Sequence, residues 1–514
     1  MGSSNVGGRG VRGHRGPSRW SQERDSGEPS ARKNPPKEVF FDAPRARLFV
    51  KLLAAVFLVA FVSLGVQVHV LIGADGLVPI SDIINDLTTR GIAWWRFPTH
   101  LWLATDDGMI SYGVILGAIF SILALLGIKP RLMFCLLVPL YLSYVTACTT
   151  FLSFQWDNLL LECGVLAIFL SVKKPNKLIQ FLFTALLFKL YLQSGVAKWQ
   201  SHLADWQDGS AMSFYYETAP IPTWLAYYAH QLPVQWHDLE SRLTLVLELI
   251  VPALIFGPRW ARLIAFVFLS GFQIVNIATA NYGFFAYLAL ALHVFILDDS
   301  DIHRVRSWLA ALFRRPTPGV APRSSFEGRL DRVMALPVAV AWFALSLYGS
   351  AERFASGPPA WALSAAPAVE VAQTFRLVNT YHLFAAITTE RIEPEFQTFD
   401  EGEWTAHAMH YKPGPVDRAP PFVAPHQPRV DFRLWFYGLS FSRGTPPFVD
   451  TLMSRLCYKP DAVQSLFVSE LPAKPSKTRI VFWRYGYASP EQKAESGDWW
   501  VRTQMTTKVL RCKR

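Results

Sequence analysis

The sequence predicts an α-helical polytopic membrane bundle of about nine spans, with seven to nine compatible, followed by a C-terminal β-rich extramembrane domain. Three observations predict it. Hydrophobic residues make up 51% of the 514 and charged residues only 17%, against about 25% charged in soluble chains. Apolar runs near 48–72, 109–128, 131–151, 157–173, 177–196, 242–257, 260–279, 281–298 and 333–349 approach the length of a span, roughly 20 residues. The breaks between these runs alternate in charge.

Taken in order, residues 1–45 are a Gly/Arg/Ser-rich basic tail. Such a tail cannot bury apolar area and is expected to be disordered. The first apolar run follows it and reads as an uncleaved signal anchor. Val6 stands where a myristoylation signal needs Ser or Thr. Lys129-Pro130-Arg131, Lys173-Lys174-Pro175-Asn176-Lys177 and Pro258-Arg259-Trp260-Ala261-Arg262 are basic breaks, and the stretch from Arg304 to Arg332 carries many Arg. The alternate breaks are Asp-rich (73–108), short with Asp157 (152–157), mildly acidic (197–241) or uncharged (279–281). Lys and Arg mark the cytoplasmic side. The N-terminus is therefore expected in the cytoplasm, and an odd number of spans carries the C-terminal domain to lumen or periplasm. The expected division is a cytoplasmic tail at 1–45, a membrane domain at 46–350 with an exported 197–241 loop, and an exported domain at 351–514. Within the last, Val430-Asp431-Phe432-Arg433-Leu434-Trp435-Phe436 and Arg479-Ile480-Val481-Phe482-Trp483-Arg484-Tyr485 alternate with a period of two, which predicts half-buried strands. Thr451 to Leu466 reads as a short helix.

The net charge is +11. Its location in the tail and alternate breaks makes it a topology signal, so no nucleic-acid partner is expected. Cys135, Cys148 and Cys163 lie in apolar segments, and Cys457 and Cys512 are left as a candidate pair. No C-x-x-C occurs, so neither disulfide exchange nor a zinc site is expected. His202, His230 and His237 lack metal-ligand spacing, and His407 and His410 give no reason to assign a metal. There is no phosphate loop, nucleophile elbow or protease signature, and no cofactor is expected.

Polar residues inside apolar runs carry the remaining information, because charge in a bilayer is expensive and faces a cavity or a partner. Asp157 sits at the start of one run and Glu162 deeper in it. Lys189, in the next run, is the natural counter-ion of Glu162, and Glu248, Gln273 and Asn276 can line the same interior. An ion pair fixing the bundle is the plainer reading, with a proton relay, substrate site or transporter path as the alternatives. A second group follows the fifth run: Lys198-Trp199, then Asp205-Trp206-Gln207-Asp208-Gly209, then Glu217-Thr218-Ala219-Pro220-Ile221-Pro222. It reads as a compact loop folded on the outer face. Lys198 is a candidate catalytic base, although an interfacial lysine flanked by Trp199 and Trp206 anchors equally well.

Several of these stretches resemble the lipase maturation factor family. They are the run 154–170 (FQWDNLLLECGVLAIFL), the stretch from Lys198 through 215–222 to Tyr227-Tyr228-Ala229-His230, and Gln273 followed by Asn281-Tyr282-Gly283-Phe284-Phe285. Downstream come Asn379-Thr380-Tyr381-His382-Leu383-Phe384, Trp435-Phe436 and Trp499-Trp500-Val501-Arg502. The similarity covers most of 50–505. It implies a membrane-embedded chaperone with membrane lipids and secreted client proteins, lipases among them, as partners. Its membrane would be the endoplasmic reticulum in a eukaryote and the cytoplasmic membrane in a bacterium. In that reading, aromatic patches around Trp435, Phe436 and Trp483 hold clients. More distantly, Tyr191…Gly195-x-x-Lys198…Asp205-Trp206-x-x-Gly209 is similar to the vitamin K-dependent carboxylase family. That similarity implies an enzyme with Lys198 as base on a lipid or quinone.

Overall fold

The computed structural model describes residues 43–172, 175–312, 327–355, 357 and 360–512. The tail at 1–42, with the disorder expected of it, and the stretch 313–326 lie outside the described residues. In chain order the principal membrane-domain helices are Pro44–Gly65 (α1), Asp107–Leu125 (α2), Pro130–Ala147 (α3), Gln155–Ile168 (α4), Lys177–Trp199 (α5), Val234–Leu249 (α6), Arg259–Thr279 (α7), Phe285–His293 (α8) and Glu327–Phe354 (α9). All nine predicted runs are thus helical. Six of them (α1, α2, α3, α5, α7 and the Val333–Phe354 part of α9) are long and apolar enough to cross a membrane.

The other three are shorter. α4 has 14 residues, about 21 Å at 1.5 Å per residue, short of a hydrocarbon core of about 30 Å. α6 runs on into a 3₁₀ segment, Val251–Phe256, and α8 into another, Val294–Ile296. The second segment is buried throughout and the first buries Val251, Pro252 and Ile255, and irregular backbone at membrane depth is tolerated where protein covers it.

Local sequence sets the helix starts. Asp106 and Asn176 cap α2 and α5 by accepting from the Met109 and Leu178 N–H groups at 3.1 and 2.8 Å, and Pro130 opens α3 where its missing donor costs nothing. α1 buries Ala46, Phe49, Leu53, Phe57, Ala60 and Phe61 at helical spacing against the rest of the bundle.

Two sets of contacts define the bundle's ends. At one end Arg45 donates to the Leu297 carbonyl at 3.0 Å and to Gln180 Oε1 at 2.6 Å, and Arg262 pairs with Asp298 at 2.6 Å. The first turns of α1, α5 and α7 therefore gather with the segment that follows α8. At the other end sit the last turns of α1 and α5 and the first turn of α4, bonded to residues beyond 378.

The C-terminal region is a four-stranded antiparallel sheet of Arg391–Asp400 (β1), Glu403–His407 (β2), Lys477–Tyr487 (β3) and Trp500–Arg511 (β4), in the order β2-β1-β3-β4. β1 and β2 join through Glu401 and Gly402, both at positive φ, the geometry of a two-residue hairpin turn. Three helices accompany the sheet: Arg429–Leu439 (α10), Pro447–Tyr458 (α11) and Pro490–Ser496 (α12).

The strand expected over Val430–Phe436 is corrected by α10. The burial of Arg429, Val430, Phe432, Leu434, Tyr437 and Gly438 follows a helix face. Gly438 lets α10 lie on β1, since a Cβ there would stand 2.0 Å from the Ile392 carbonyl oxygen. A disulfide joins Cys457 of α11 to Cys512 after β4, with Cα atoms 5.4 Å apart.

Candidate functional site

The polar residues of the bundle gather around a single inserted segment, Asn379 to Ile387, which enters from the C-terminal side. Glu162 on α4 is fully buried. Its Oε1 accepts from Lys189 Nζ at 2.6 Å and Trp342 Nε1 at 2.8 Å. Its Oε2 accepts from the Tyr381 hydroxyl at 2.7 Å, the Asn379 N–H at 3.0 Å and Asn379 Nδ2 at 3.2 Å. A buried ion pair holds only when its remaining lone pairs are met, and here they are met by the inserted segment. One helical turn beyond Lys189, Gln193 accepts from the Tyr381 N–H at 2.8 Å.

Further along α5, Lys198 spends all three of its donors. Nζ reaches Glu248 Oε1 at 2.9 Å, Glu248 Oε2 at 2.7 Å and the Leu383 carbonyl at 2.9 Å. Trp206 Nε1 donates to the Phe384 carbonyl at 3.1 Å, and Asp205 accepts from the Ile387 N–H at 2.6 Å. Glu248, expected to line the same interior as Glu162 and Lys189, instead pairs with Lys198, so the two ion pairs are separate stations along the same inserted segment. A lysine without a free donor, paired to a buried carboxylate, is built as a clamp. The geometry gives no support to Lys198 as a base in a carboxylase-like enzyme.

The 197–241 loop is locked to the sheet. Arg391, fully buried, donates to the carbonyls of Glu217, Ala219 and Pro220. Trp435 Nε1 donates to the Thr218 carbonyl at 2.7 Å, and Glu217 accepts from the Tyr487 N–H at 2.9 Å. Pro222 forms a β-bridge with Ala280. Gly209 adopts φ +87°, and a Cβ there would stand 1.9 Å from Asp238 Oδ1, so the turn requires glycine. Trp199 stays exposed at the bundle edge.

Two further locks were not foreseen. Asp157 takes a bidentate pair from Arg429 at 2.7 and 2.7 Å and a hydrogen bond from the Tyr141 hydroxyl at 2.7 Å. Asn281 accepts from the Val423 and Ala424 N–H groups at 2.7 and 2.8 Å and donates to the Pro421 carbonyl at 2.8 Å. Arg429 lies 272 residues from Asp157 and Asn281 lies 140 residues from Pro421, and no local spacing announces them. Within the C-terminal region Lys412 and Arg391 flank Glu393 at 2.6 Å each. Burial pushes the nearby Asp431 carboxyl up to about 6.

Of the proposed client-binding aromatics, Trp435 is engaged as above and Trp483 lies under the Arg502 guanidinium, 4.1 Å from the ring centre. Phe436 keeps an exposed edge and stacks on Phe154. Among the described residues, no three His, Cys, Asp or Glu side chains gather as metal ligands. His230 and His237 instead face Glu217 and Glu240.

A cavity of about 320 Å³ lies between α5, α6 and α7, beside Lys198 and Glu248 and lined also by Gln273 and Asn276.

Comparison with known proteins matches residues 44–304 to the lipase maturation factor transmembrane domain and 377–509 to the lipase maturation factor C-terminal domain. Similar curated proteins include lipase maturation factor 2 of Gallus gallus, 31% identical with 88% of this chain and 79% of that protein aligned. Lipase maturation factor 2 of Homo sapiens is 29% identical over 89% and 81%. Lipase maturation factor 1 of Mus musculus is 26% identical over 89% and 85%. No solved structure matches the chain. The two matched domains are those joined by the inserted segment and by Asp157–Arg429, and the chain belongs to the lipase maturation factor family.

Proposed function

We propose that this protein is a membrane-anchored chaperone that helps exported proteins, lipases among them, to fold and assemble. One observation carries the reading. The intramembrane ion pairs and Asp157 are spent on docking residues 379–431, which is the work of a pedestal rather than of a catalytic centre. The tail at 1–45 is cytoplasmic, α1 is the signal anchor, and 351–514 lies in the lumen of the endoplasmic reticulum or, in a bacterium, the periplasm. The basic breaks support this sidedness, and the Cys457–Cys512 disulfide fits an oxidising compartment. Clients are held on the sheet and its exposed apolar side chains, since exposed apolar surface is what binds unfinished chains. Phe436 and the outer strand β4 are the candidate contacts.

The test is co-expression with a secreted dimeric lipase in cells that lack their own maturation factor. The expected result is active secreted lipase with the full chain and none with a variant lacking 377–512. Equal lipase secretion with and without the full chain would overturn the proposal.

A further inference from the structure

The cavity between α5, α6 and α7 has features that docking does not use. Its wall is apolar, and its open side lies between two helices whose flanking residues are exposed: Leu243 at 42% on α6, Val267 at 64%, Phe268 at 51% and Val275 at 50% on α7. On a helix long and apolar enough to cross the bilayer, such exposure faces lipid. The opening is therefore lateral, toward hydrocarbon.

At the wall sits Gln273, 2% exposed. Its Nε2 donates to the Tyr191 hydroxyl at 2.8 Å, which continues to His293 Nε2 at 3.0 Å, and His293 Nδ1 meets Ser270 Oγ at 2.9 Å. The chain satisfies every member except Gln273 Oε1, which has no partner. Reversing the amide leaves Nε2 free instead, so one polar atom faces the cavity in either orientation. An unmet buried polar atom is costly, and hydrocarbon cannot relieve it.

We infer that this cavity binds a membrane lipid with a neutral, hydroxyl-bearing head, of the monoacylglycerol or diacylglycerol class. The hydroxyl bonds Gln273, and the acyl chain lies in the lateral groove between α6 and α7. A hydroxyl serves either amide orientation, because it both donates and accepts. An anionic head finds no free cation, since Lys198 is saturated by Glu248 and Leu383. The volume suits one small ligand, at the lower end of the roughly 300–1,000 Å³ of small-molecule sites. This site is independent of any client.

The experiment uses the full chain, without client, in phosphatidylcholine nanodiscs containing a monoacylglycerol with a diazirine in its acyl chain. After irradiation, mass spectrometry maps the adducts. Labels are expected within 240–248 and 267–276, and excess unlabelled monoacylglycerol is expected to suppress them. Gly271 lines the cavity, and a Cβ built there meets nothing within 4 Å, so Gly271→Phe should fill the groove and abolish labelling, with Gly271→Leu as the milder plug. Gln273→Leu should weaken monoacylglycerol binding about tenfold, the loss of one hydrogen bond. It should leave labelling by the matching fatty-acid methyl ester, which has no hydroxyl, unchanged. Labels spread over all exposed helices, or labels that competitor does not suppress, would overturn the site. Equal labelling by ester and glyceride in the wild type would overturn the head-group assignment.

Discussion

At the residue scale, Asp157 and Arg429 are the contact on which the molecule is most exposed to mutation. Both are buried, and among the described residues each is the other's only charge partner within hydrogen-bond reach. Removing one partner of such a pair costs about 3–5 kcal/mol because it strands the other. Arg429→Leu and Asp157→Leu should therefore each lower the thermal midpoint in detergent sharply. The double variant should be more stable than either single one. A double variant at the sum of the two losses would show that the charges are not coupled.

Asp431 gives a pH dependence of defined sign. Its carboxyl titrates near 6 in the folded chain, above the value of about 3.9 for an unfolded aspartate. Between those values the folded state holds a proton that the unfolded state has released. The contribution of this group to stability is thus full below the lower value and lost as pH rises through about 6. Lys412, Glu393 and Tyr411 face it and remain in the variant. Asp431→Asn should flatten the melting temperature against pH between about 4 and 6, and an unchanged slope there would refute the assignment.

Some of this was legible in the sequence. Glu162 and Lys189 fall on successive apolar helices, and charge at that depth demands a partner. Arg429 and Tyr381 were illegible as partners because they come from a different domain. Period and spacing report only neighbours on the same element.

At the element scale, α10 shows where pattern fails. Val430, Phe432 and Leu434 alternate, yet Val430, Leu434, Tyr437 and Gly438 also fit a helical face. A seven-residue window cannot separate the two periods. β3 was legible because its alternation runs longer and is rich in β-branched and aromatic residues.

The same sheet carries a functional prediction. β4 is, with β2, an outer strand, and among the described residues nothing pairs with its free edge. Val501, Met505 and Val509 on it are exposed. Exposed edges of this kind accept extended segments of other chains. Val501→Lys with Val509→Lys should reduce crosslinking to a client lipase several-fold. Stability should stay within about 0.5 kcal/mol, as for most surface changes. Undiminished crosslinking would move client binding away from β4.

At the scale of the whole molecule, the two contact sets at opposite ends of the bundle tie topology to sidedness. Arg45, Arg262 and Asp298 meet at one end, while Ser63, Asp157, Lys198 and Asn281 meet the C-terminal domain at the other. The basic breaks flank the first end, and the positive-inside rule predicts a cytoplasmic face for such an end. The disulfide lies at the other end, and closing its loop across a sequence separation of 55 contributes about 4 kcal/mol in the chain-entropy account. That contribution exists only where thiols are oxidised. Two exposed positions report the two faces, Val468 in the C-terminal domain and Trp308 in the helix Asp299–Leu312. In a background with Cys135→Ser, Val468→Cys should react with an impermeant maleimide from the lumenal or periplasmic side of sealed membranes. Trp308→Cys should react only after permeabilisation. Cys457 and Cys512 should resist the reagent until a reductant is added. The reverse labelling of the two probes would place the sheet in the cytoplasm. The exported client would then have no access to β4, and the maturation role would fall with it.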